Sequence, residues 1–423
     1  MDGQEMLERS ARWITGEEAL AMNGLFSEDT GGAAVVTDGV ALIEAFSNIV
    51  AFETEEGIVL FDVSHHLSAP KAITELRTWS NAPVHTAVYT HGHVDHVTGA
   101  QAFDADAAAR GDRPIRYVGH EAIPERFDRY QLTNGYNGWI NMRQFRLPEP
   151  AWPSEFVYPD VTYRTESHLD IGGLGFELRH ARGETDDHTW AWIPDKRAIC
   201  VGDLFIWQFP NAGNPQKVQR FAWDWAVSLR AMSELRPELL LPAHGPAIGG
   251  EALVAEVLQN TAAALESLHE QTLRLMNSGA RLDEVIHTVR LPRELAELPY
   301  LRPTYDEPEF VVRNLWRMYG GWYDGNPAHL KPAPDVELAL ETAYLAGGVE
   351  VLSDRAEQLA QDGQLRLACH LAEMAVLAEP ESQRCHQVRA AVYDARRKAE
   401  TSYMASGIFR SAALDSREKL TEH

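Results

Sequence analysis

The sequence predicts an α/β domain followed by an all-helical unit, and two patterns support this expectation. From about residue 35 to 250, short apolar runs typical of strands alternate with segments of helical periodicity, as in a sandwich of two mixed sheets covered by helices. Farther along, runs such as Val336-Glu337-Leu338-Ala339-Leu340 keep a helical period only. With 423 residues, 45% of them hydrophobic, the chain can bury more than one core.

Changes in these patterns set the predicted domain boundaries. Residues 1–34 are expected to form a helical or irregular lead-in, and residues 35–290 the α/β domain. A proline-rich junction follows, so residues 291–400 are predicted as the helical unit and residues 401–423 as a C-terminal tail.

The densest cluster of ligand-type residues is Thr90-His91-Gly92-His93-Val94-Asp95-His96, which directly follows a β-branched apolar run. Because alternate side chains of an extended segment point the same way, His91 and His93 can bind one ion together. Asp95 and His96, beyond the turn, are then free to face a second ion. Surface histidines are the competing interpretation, but this spacing directly after a strand favours a metal site.

Further candidates stand at or just beyond the ends of later predicted strands. They are His188 in Gly183-Glu184-Thr185-Asp186-Asp187-His188, Asp203 after Ala198-Ile199-Cys200-Val201-Gly202, and His244 after Leu239-Leu240-Leu241-Pro242-Ala243. A single Asp or His at such a place is as often an ordinary turn residue. In this order after the first motif, the three together favour a shared metal site.

With these residues in place, the chain resembles the metallo-β-lactamase superfamily of hydrolases, whose fold is an αββα sandwich. The family signature HxHxDH corresponds to His91, His93, Asp95 and His96, and its Gly-His-Thr-x-Gly-His, Gly-Asp and His-Gly elements correspond to Gly183–His188, Gly202-Asp203 and His244-Gly245. The first histidine of the Gly-His-Thr-x-Gly-His element is replaced by Glu184 here, at a position that is not a ligand in the usual pattern.

The resemblance implies a centre with two metal ions. His91, His93 and His188 would hold one ion and Asp95, His96 and His244 the other, while Asp203 would bridge them; Asp95 and Asp203 would be the catalytic carboxylates. Two ions about 3.5–4 Å apart activate a shared water and clamp the reacting oxygens. Two zinc ions per chain are the expected cofactor, and iron or manganese also fits such nitrogen and carboxylate ligands.

A second resemblance lies farther along the chain. The segment from Val311 to Pro327, above all Gly321-Trp322-Tyr323-Asp324-Gly325-Asn326-Pro327, is similar to the start of the dimerisation domain of bacterial alkyl sulfatases. The following helices, with one tetratricopeptide-like repeat over 365–380, match the helical character of that domain. A homodimer through residues 305–400 is therefore expected, with the aromatic segment Leu315–Tyr323 contributing to its interface.

Together the two resemblances imply hydrolysis of a sulfate ester through a metal-bridging hydroxide. Alkyl sulfatases of this type use glutamates where this chain has His188 and Asp203, and their sulfate-binding stretch is replaced here by Asn211-Ala212-Gly213-Asn214-Pro215-Gln216-Lys217. Hydrolysis of a carboxylic ester, lactone or thioester is the alternative, and an iron-dependent oxidoreductase is a further one.

Candidate substrate contacts lie in two segments that are rich in aromatic and amide side chains. They are Tyr136, Asn141 and Arg143 in the first segment, and Asn211 and Lys217 in the second. Polar and cationic groups among aromatics suit a small-molecule ester with an anionic head and an apolar tail. Arg143 is favoured for the anion because a guanidinium offers a fork of donors. Ordinary packing of these segments is the competing interpretation.

Composition narrows the partners and the compartment. A net charge of -24 argues against a nucleic-acid partner. No apolar run reaches the roughly 18 residues of a membrane span, and the acidic N-terminus lacks the pattern of a secretory signal. The scattered Cys200, Cys369 and Cys385 indicate reduced thiols, so a cytoplasmic protein is expected.

Overall fold

The computed structural model describes residues 2–20, 32–145 and 147–421. In these ranges the strands are β1 (Gly32–Thr37), β2 (Val40–Glu44), β3 (Ile49–Thr54), β4 (Gly57–Phe61), β5 (Val84–Val88), β6 (Arg116–His120), β7 (Val161–Tyr163), β8 (Glu166–Ile171), β9 (Leu174–Ala181), β10 (His188–Ile193), β11 (Ala198–Gly202), β12 (Leu239–Pro242) and β13 (Ile248–Gly249).

The helices of the α/β part are α1 (Gly3–Thr15), α2 (Ala69–Trp79), α3 (Val94–Val97), α4 (Ala100–Arg110), α5 (Ala122–Leu132), α6 (Asn134–Phe145), α7 (Ala222–Glu234) and α8 (Glu251–Asn277). Those that follow are α9 (Leu282–Thr288), α10 (Arg293–Ala296), α11 (Pro308–Gly320), α12 (Pro327–Leu330), α13 (Asp335–Ala346), α14 (Val349–Gln361), α15 (Leu365–Ala378), α16 (Gln383–Lys398) and α17 (Tyr403–Thr421).

The thirteen strands found in the described ranges form two mixed sheets. The first sheet runs in chain order from β1 to β7; its first four strands are antiparallel, and β4 through β7 are parallel. The second has the order β13-β12-β11-β10-β9-β8, with a single parallel pair between β11 and β12. The parallel pairs matter for the site because their carboxyl ends open at the same edge of each sheet.

Both faces of each sheet are covered, which explains why the central strands are apolar almost throughout. Phe52 and Phe61 of the first sheet meet Phe176 of the second in the layer between the sheets. The alternate residues of β3 and β4 pack outward against α2 and α4, and the outer face of the second sheet packs against α7 and α8. The predicted αββα sandwich followed by an all-helical region is confirmed.

The two ends of the chain are more ordered than the sequence patterns indicated. In the lead-in, α1 inserts Met6 between the sheets and Trp13 into the core on the outer face of the second sheet. Residues 21–31 of the predicted lead-in lie outside the described residues. The stretch from residue 401, predicted as a tail, forms α17, which packs against α16 and α6.

The helical region is joined to the α/β sandwich through α11. Val311, Val312, Leu315 and Trp316 on this helix belong to the same buried cluster as α7 and α8. By contrast, α14 to α16 form small clusters of their own. Leu315 and Trp316, which the sequence prediction placed in a dimer interface, are therefore buried inside their own chain.

Within the described ranges, we find no helix that combines the length and the apolar character needed to cross a membrane.

Candidate metal centre

The first ligand-type residues lie where β5 ends at the edge of the sheet. His91 is fully buried, and its Nε2 atom lies 2.8 Å from Nδ1 of His93. The next turn is the short helix α3, which carries Asp95 and His96. The four residues of the motif are thus brought together by one strand end and one helical turn.

Asp62, one residue beyond β4, holds this motif in place through hydrogen bonds. Its carboxylate accepts hydrogen bonds from the backbone N–H and the hydroxyl of Thr90, both at 2.7 Å. It also accepts a hydrogen bond from Nδ1 of His96 at 2.8 Å. Because Nδ1 carries this proton, Nε2 of His96 is directed into the site, which is how an outer carboxylate orients a ligating imidazole.

A second imidazole is oriented in the same way after β12. Nδ1 of His244 donates to the carbonyl oxygen of Phe46 at 2.8 Å. Nε2 of His244 lies 3.4 Å from Oδ2 of Asp95, and Nε2 of His96 lies 3.4 Å from the same oxygen. The ligand atoms of Asp95, His96 and His244 all lie within 4.8 Å of one another.

Asp203 follows β11 and stands between the two groups of imidazoles. Its Oδ1 atom lies 3.5 Å from Nε2 of His96 and 3.4 Å from Nε2 of His244, while Oδ2 lies 3.9 Å from Nε2 of His91. Gly202 before it has φ of +52°, and a Cβ there would lie 2.7 Å from the ring of His188. Only glycine lets β11 approach this closely.

The other cluster of ligand atoms differs from the sequence prediction in one member. It consists of His91, His93, Glu184 and Asp203, with ligand atoms within 4.8 Å of one another. His188 is close, stacked on His91 at 4.8 Å between ring centroids, but its Nε2 accepts the backbone N–H of Asp203 at 3.1 Å. Glu184 was not predicted as a ligand because it stands at a position of the family pattern that does not usually bind metal.

Charge and burial shift the pKa values of the site in different directions. Burial disfavours the charged form of Asp203, but His244 and His96 hold its pKa well below the usual range. Conversely, burial opposes protonation of His244, yet Asp203 and Asp95 raise its pKa to about 10. Burial lowers the pKa of His91 far below its usual value, so this imidazole is neutral, as a metal ligand must be.

Divalent cations fit this arrangement. Buried side-chain atoms without a hydrogen-bond partner include Nε2 of His96, Oδ1 of Asp203 and Oε2 of Glu184, and all three belong to the clusters described above. Unpartnered buried polar atoms are rare in proteins and call for a physical reason. Imidazole nitrogens and carboxylate oxygens brought together in this way are the donor set that zinc and similar metals take.

A pocket of about 400 Å³ opens beside the cluster that contains His93 and Glu184. Its lining is rich in cationic side chains, which are Arg126, Arg129, Lys217, Arg220 and Arg317. Arg220 is buried, and its Nη1 lies 2.6 Å from Oε1 of Glu184. Burial, together with the charge of Arg220, lowers the pKa of Lys217 to about 8. The pocket is therefore suited to an anionic group held next to the candidate ligands.

One wall of this pocket comes from the helices α5 and α6, in which Tyr130, Tyr136 and Ile140 contribute apolar surface. The helix α6 forms although the glycines and asparagines in Asn134-Gly135-Tyr136-Asn137-Gly138 are poor helix formers.

The five predicted substrate contacts fall into two groups. Tyr136 and Lys217 line the pocket, and Nδ2 of Asn211 donates a hydrogen bond to Glu184. Asn141 and Arg143 are not among the lining residues: Asn141 donates to the carbonyl of Ala151 at 3.3 Å, and Arg143 lies beside α17 near Gly407. Arg143, which the sequence favoured for the anion, thus lies on the part of α6 that meets α17 and does not line this pocket.

Comparison with known proteins agrees with this architecture. The sequence model of the metallo-beta-lactamase superfamily matches residues 42–244, and the family model described as alkyl sulfatase dimerisation matches residues 281–419. A linear primary-alkylsulfatase of Pseudomonas sp. (strain ATCC 19151) is 26% identical over 360 residues, covering 80% of this chain and 68% of the relative. An alkyl/aryl-sulfatase of Saccharomyces cerevisiae is 25% identical over 401 residues, which cover 89% of this chain and 60% of the relative.

A solved structure also resembles this chain. The stereoselective inverting sec-alkylsulfatase Pisa1 from Pseudomonas sp. superposes with a TM-score of 0.83 at 21% identity, over 92% of this chain and 66% of that protein. At this identity the likeness establishes the fold. The chain spans 60–68% of the lengths of these three proteins.

One buried ion pair beside the centre gives a prediction that depends on pH. Burial would raise the pKa of Asp187, but Arg126, whose Nε lies 2.6 Å from its carboxylate, lowers that pKa to about 2. The stability from this pair is thus present above the unfolded pKa near ~4 and is lost as pH falls toward 2. Arg126→Met should lower the free energy of unfolding by about 3–5 kcal/mol at pH 7.

Urea unfolding between pH 3 and pH 7 measures this difference. The difference in the free energy of unfolding between parent and variant should shrink toward acid pH, because protonation of Asp187 removes the unpaired buried charge in the variant. Arg129→Met, which changes a partly exposed arginine on the same helix, is the matched control and should stay within about 0.5 kcal/mol. An Arg126→Met penalty of the same size at every pH would contradict the interpretation.

Proposed function

This chain joins a metallo-β-lactamase superfamily domain to an alkyl sulfatase dimerisation domain, and we propose that it is a metal-dependent hydrolase of sulfate esters that carry an apolar chain. One observation carries the proposal: the group of candidate metal ligands that contains His93 and Glu184 stands directly beside a pocket lined by arginines and a lysine. The named relatives hydrolyse alkyl sulfates, whose anionic head matches such a lining.

Two divalent ions per chain complete the site in this proposal. Asp95, His96 and His244 would hold one ion, and His91, His93 and Glu184 the other, with Asp203 shared between them. Such ions, when bound, supply positive charge that activates water and stabilises developing negative charge. Zinc is the metal we propose, and iron or manganese would accept the same donors.

His188 takes a different role in this proposal from the one that the sequence predicted. Because its Nε2 accepts the N–H of Asp203, it supports the backbone of the shared carboxylate. Glu184 replaces it as the fourth member of its cluster, with Oε2 buried and without a hydrogen-bond partner.

Asp95 and Asp203 are the carboxylates that we assign to catalysis. The pKa of Asp95 is held well below its usual value: burial opposes this, but His96 and His244 outweigh it. Both carboxylates are therefore ionised at neutral pH and can accept hydrogen bonds from an attacking water. The side chain of Asp95 is the more accessible, at 20% exposure against 8% for Asp203.

The cationic pocket accounts for the choice of a sulfate ester over a neutral lactone or thioester. Lys217 and Arg220 approach the head-group end from one side, and Arg126 approaches it from α5. Tyr136 and Ile140 supply the apolar wall along which a hydrocarbon chain can lie. A neutral ester offers no negative charge to the cationic side chains of this pocket, of which Arg126 and Arg220 are already paired with Asp187 and Glu184.

The helical region supports a homodimer. Large apolar side chains of α13 are strongly exposed, among them Leu338 at 53%, Tyr344 at 80% and Leu345 at 76%. Trp322, in the turn after α11, is 71% exposed. Apolar surface concentrated on one region of a protein is typical of an interface, and twofold pairing is the commonest way to cover it.

Metal content tests the ligand assignment. The purified parent protein should contain about two divalent ions per chain by inductively coupled plasma mass spectrometry. Glu184→Ala should hold one ion fewer than the parent, and its hydrolytic rate should fall at least about tenfold. Glu177→Ala, which removes a partly exposed glutamate paired with Arg179, is the control and should keep both ions.

Two results would count against this assignment. A parent protein that holds one ion or none before any chelator is added contradicts the centre with two ions. Full metal content in Glu184→Ala, together with loss of an ion in His188→Ala, would return the ligand role to His188.

Steady-state kinetics with a medium-chain alkyl sulfate test the pocket. Lys217→Ala should raise KM by roughly 10- to 150-fold with little change in kcat, because a hydrogen bond to a charged group is lost. Arg143→Ala is the matched control, since Arg143 lies outside the lining, and its KM should equal that of the parent. Equal effects of the two substitutions would show that the anion binds elsewhere.

Light scattering at micromolar concentration tests the dimer. The parent should have twice the mass of one chain, and the double substitution Tyr344→Lys with Leu345→Lys should yield the monomer, because charges in an apolar interface cost more than the contact gains. Leu67→Lys changes an equally exposed leucine in the α/β domain and should leave the dimer intact. A dimer that survives the double substitution excludes α13 from the interface.

A further inference from the structure

We infer that Asp306 and Asn314, which belong to the helical region, are positioning residues for the anion pocket. They hold the segment 211–220, called here the anion loop, which carries Asn211, Lys217 and Arg220. This inference deepens the proposed hydrolysis of anionic esters and rests on it. It makes substrate recognition depend on a part of the chain that contributes no ligand to the metal clusters.

Asn314 of α11 closes the anion loop near both of its ends. Its Nδ2 donates to the carbonyl oxygens of Ala212 at 3.0 Å and Arg220 at 2.8 Å. Its Oδ1 accepts the backbone N–H of Arg220 at 3.4 Å and the side-chain amide of Gln219 at 3.1 Å. The buried side-chain amide of Asn314 thus links residues 212 and 220 through hydrogen bonds to their backbone.

Asp306 binds the middle of the loop from the chain just before α11. Its carboxylate accepts the backbone N–H of Gly213 at 2.5 Å and of Asn214 at 3.1 Å, and that of Glu307 at 2.7 Å. Asp306 is completely buried, so these donors stabilise its charge where water cannot. The turn that presents Lys217 begins directly after these two contacts.

The packing at Gly213 shows how closely the loop meets α11. A Cβ at this position would lie 2.5 Å from the backbone of Phe310 and of Val311. A side chain there would force the loop and the helix apart. The anion loop and the start of α11 therefore fit together as one unit, although about 90 residues separate them in sequence.

The loop in turn contacts the metal cluster. Arg220 reaches Oε1 of Glu184 and also donates to the carbonyl of Asn211 at 2.8 Å, while Asn211 donates to Glu184. When Asn314 or Asp306 is removed, the loop gains freedom at its base. The cations of the loop then spend less time facing the pocket, so anion affinity falls while the metal ligands stay in place.

Calorimetric titration of the metal-loaded protein with inorganic sulfate tests the inference. Asn314→Ala and Asp306→Ala should each weaken sulfate binding about tenfold, because each removes two or more hydrogen bonds to the loop. Asp306→Asn keeps a carbonyl acceptor for Gly213 and Asn214, so it should restore much of the affinity. The double variant Asn314→Ala with Lys217→Ala should be weakened by less than the sum of the single effects, since Asn314 acts through the loop.

Asn260→Ala is the matched control, because Asn260 is a helical asparagine of α8 that binds Tyr300 away from the pocket. It should bind sulfate like the parent. Hydrogen exchange followed by mass spectrometry supplies a readout that does not depend on any ligand. Residues 211–220 should exchange faster in Asn314→Ala and Asp306→Ala, while the central strands β4 and β11 keep their protection.

The outcomes separate this inference from the proposed function. Parent-like sulfate affinity in folded Asn314→Ala and Asp306→Ala, or unchanged exchange over the loop, overturns the positioning role. A parent protein that binds no sulfate overturns the proposed anionic substrate, and the exchange measurement alone then decides whether the helical region holds the loop. Faster exchange spread over the whole chain would mean general destabilisation and would also overturn the inference.

Discussion

The centre depends on holding several carboxylates close together inside the protein. Asp62, Asp95, Glu184 and Asp203 are all largely buried and stand close together, where each makes ionisation of the others more costly. Although burial opposes it, neighbouring imidazoles hold the pKa of Asp95 and of Asp203 well below the usual range, whereas burial raises the pKa of Glu184 to about 8 in spite of Arg220. Bound divalent cations would offset the cost of ionising these groups together, so the rest of the architecture can be understood as the support that prevents them from moving apart.

That support comes from elements distant in sequence. The ends of β4, β5, β11 and β12 bring their carboxylates and imidazoles to one edge of the sandwich, and hydrogen bonds that two rings donate to Asp62 and to the carbonyl of Phe46 fix the direction of those rings. The pocket is built by other elements, with α5 and α6 on one side and the anion loop on the other. The candidate ligands thus lie at or just beyond strand ends, whereas the proposed substrate contacts are held by helices and loops.

How far the site could be predicted from sequence depends on whether strand ends or long-range packing place its residues. The fold and the clustering of the motif residues could be predicted, because strand ends and residue spacing are local properties. Glu184 could not, since its role depends on its contact with Arg220 and on the close approach of Gly202 to His188. The same holds for Arg143, because which face of α6 lines the pocket is decided by the docking of a helix more than 250 residues later. Long-range packing leaves no periodic signal in the sequence.

The burial of α11 in the core of the sandwich has a consequence for biosynthesis. By the time His244 has left the ribosome, every strand except the last short one has been made, yet Val311 and Leu315 are still missing from the core that they complete. The nascent chain therefore carries an apolar surface that it cannot yet cover, at the stage when such intermediates associate most readily. The sandwich can complete this core only after the helix α11 has been synthesised.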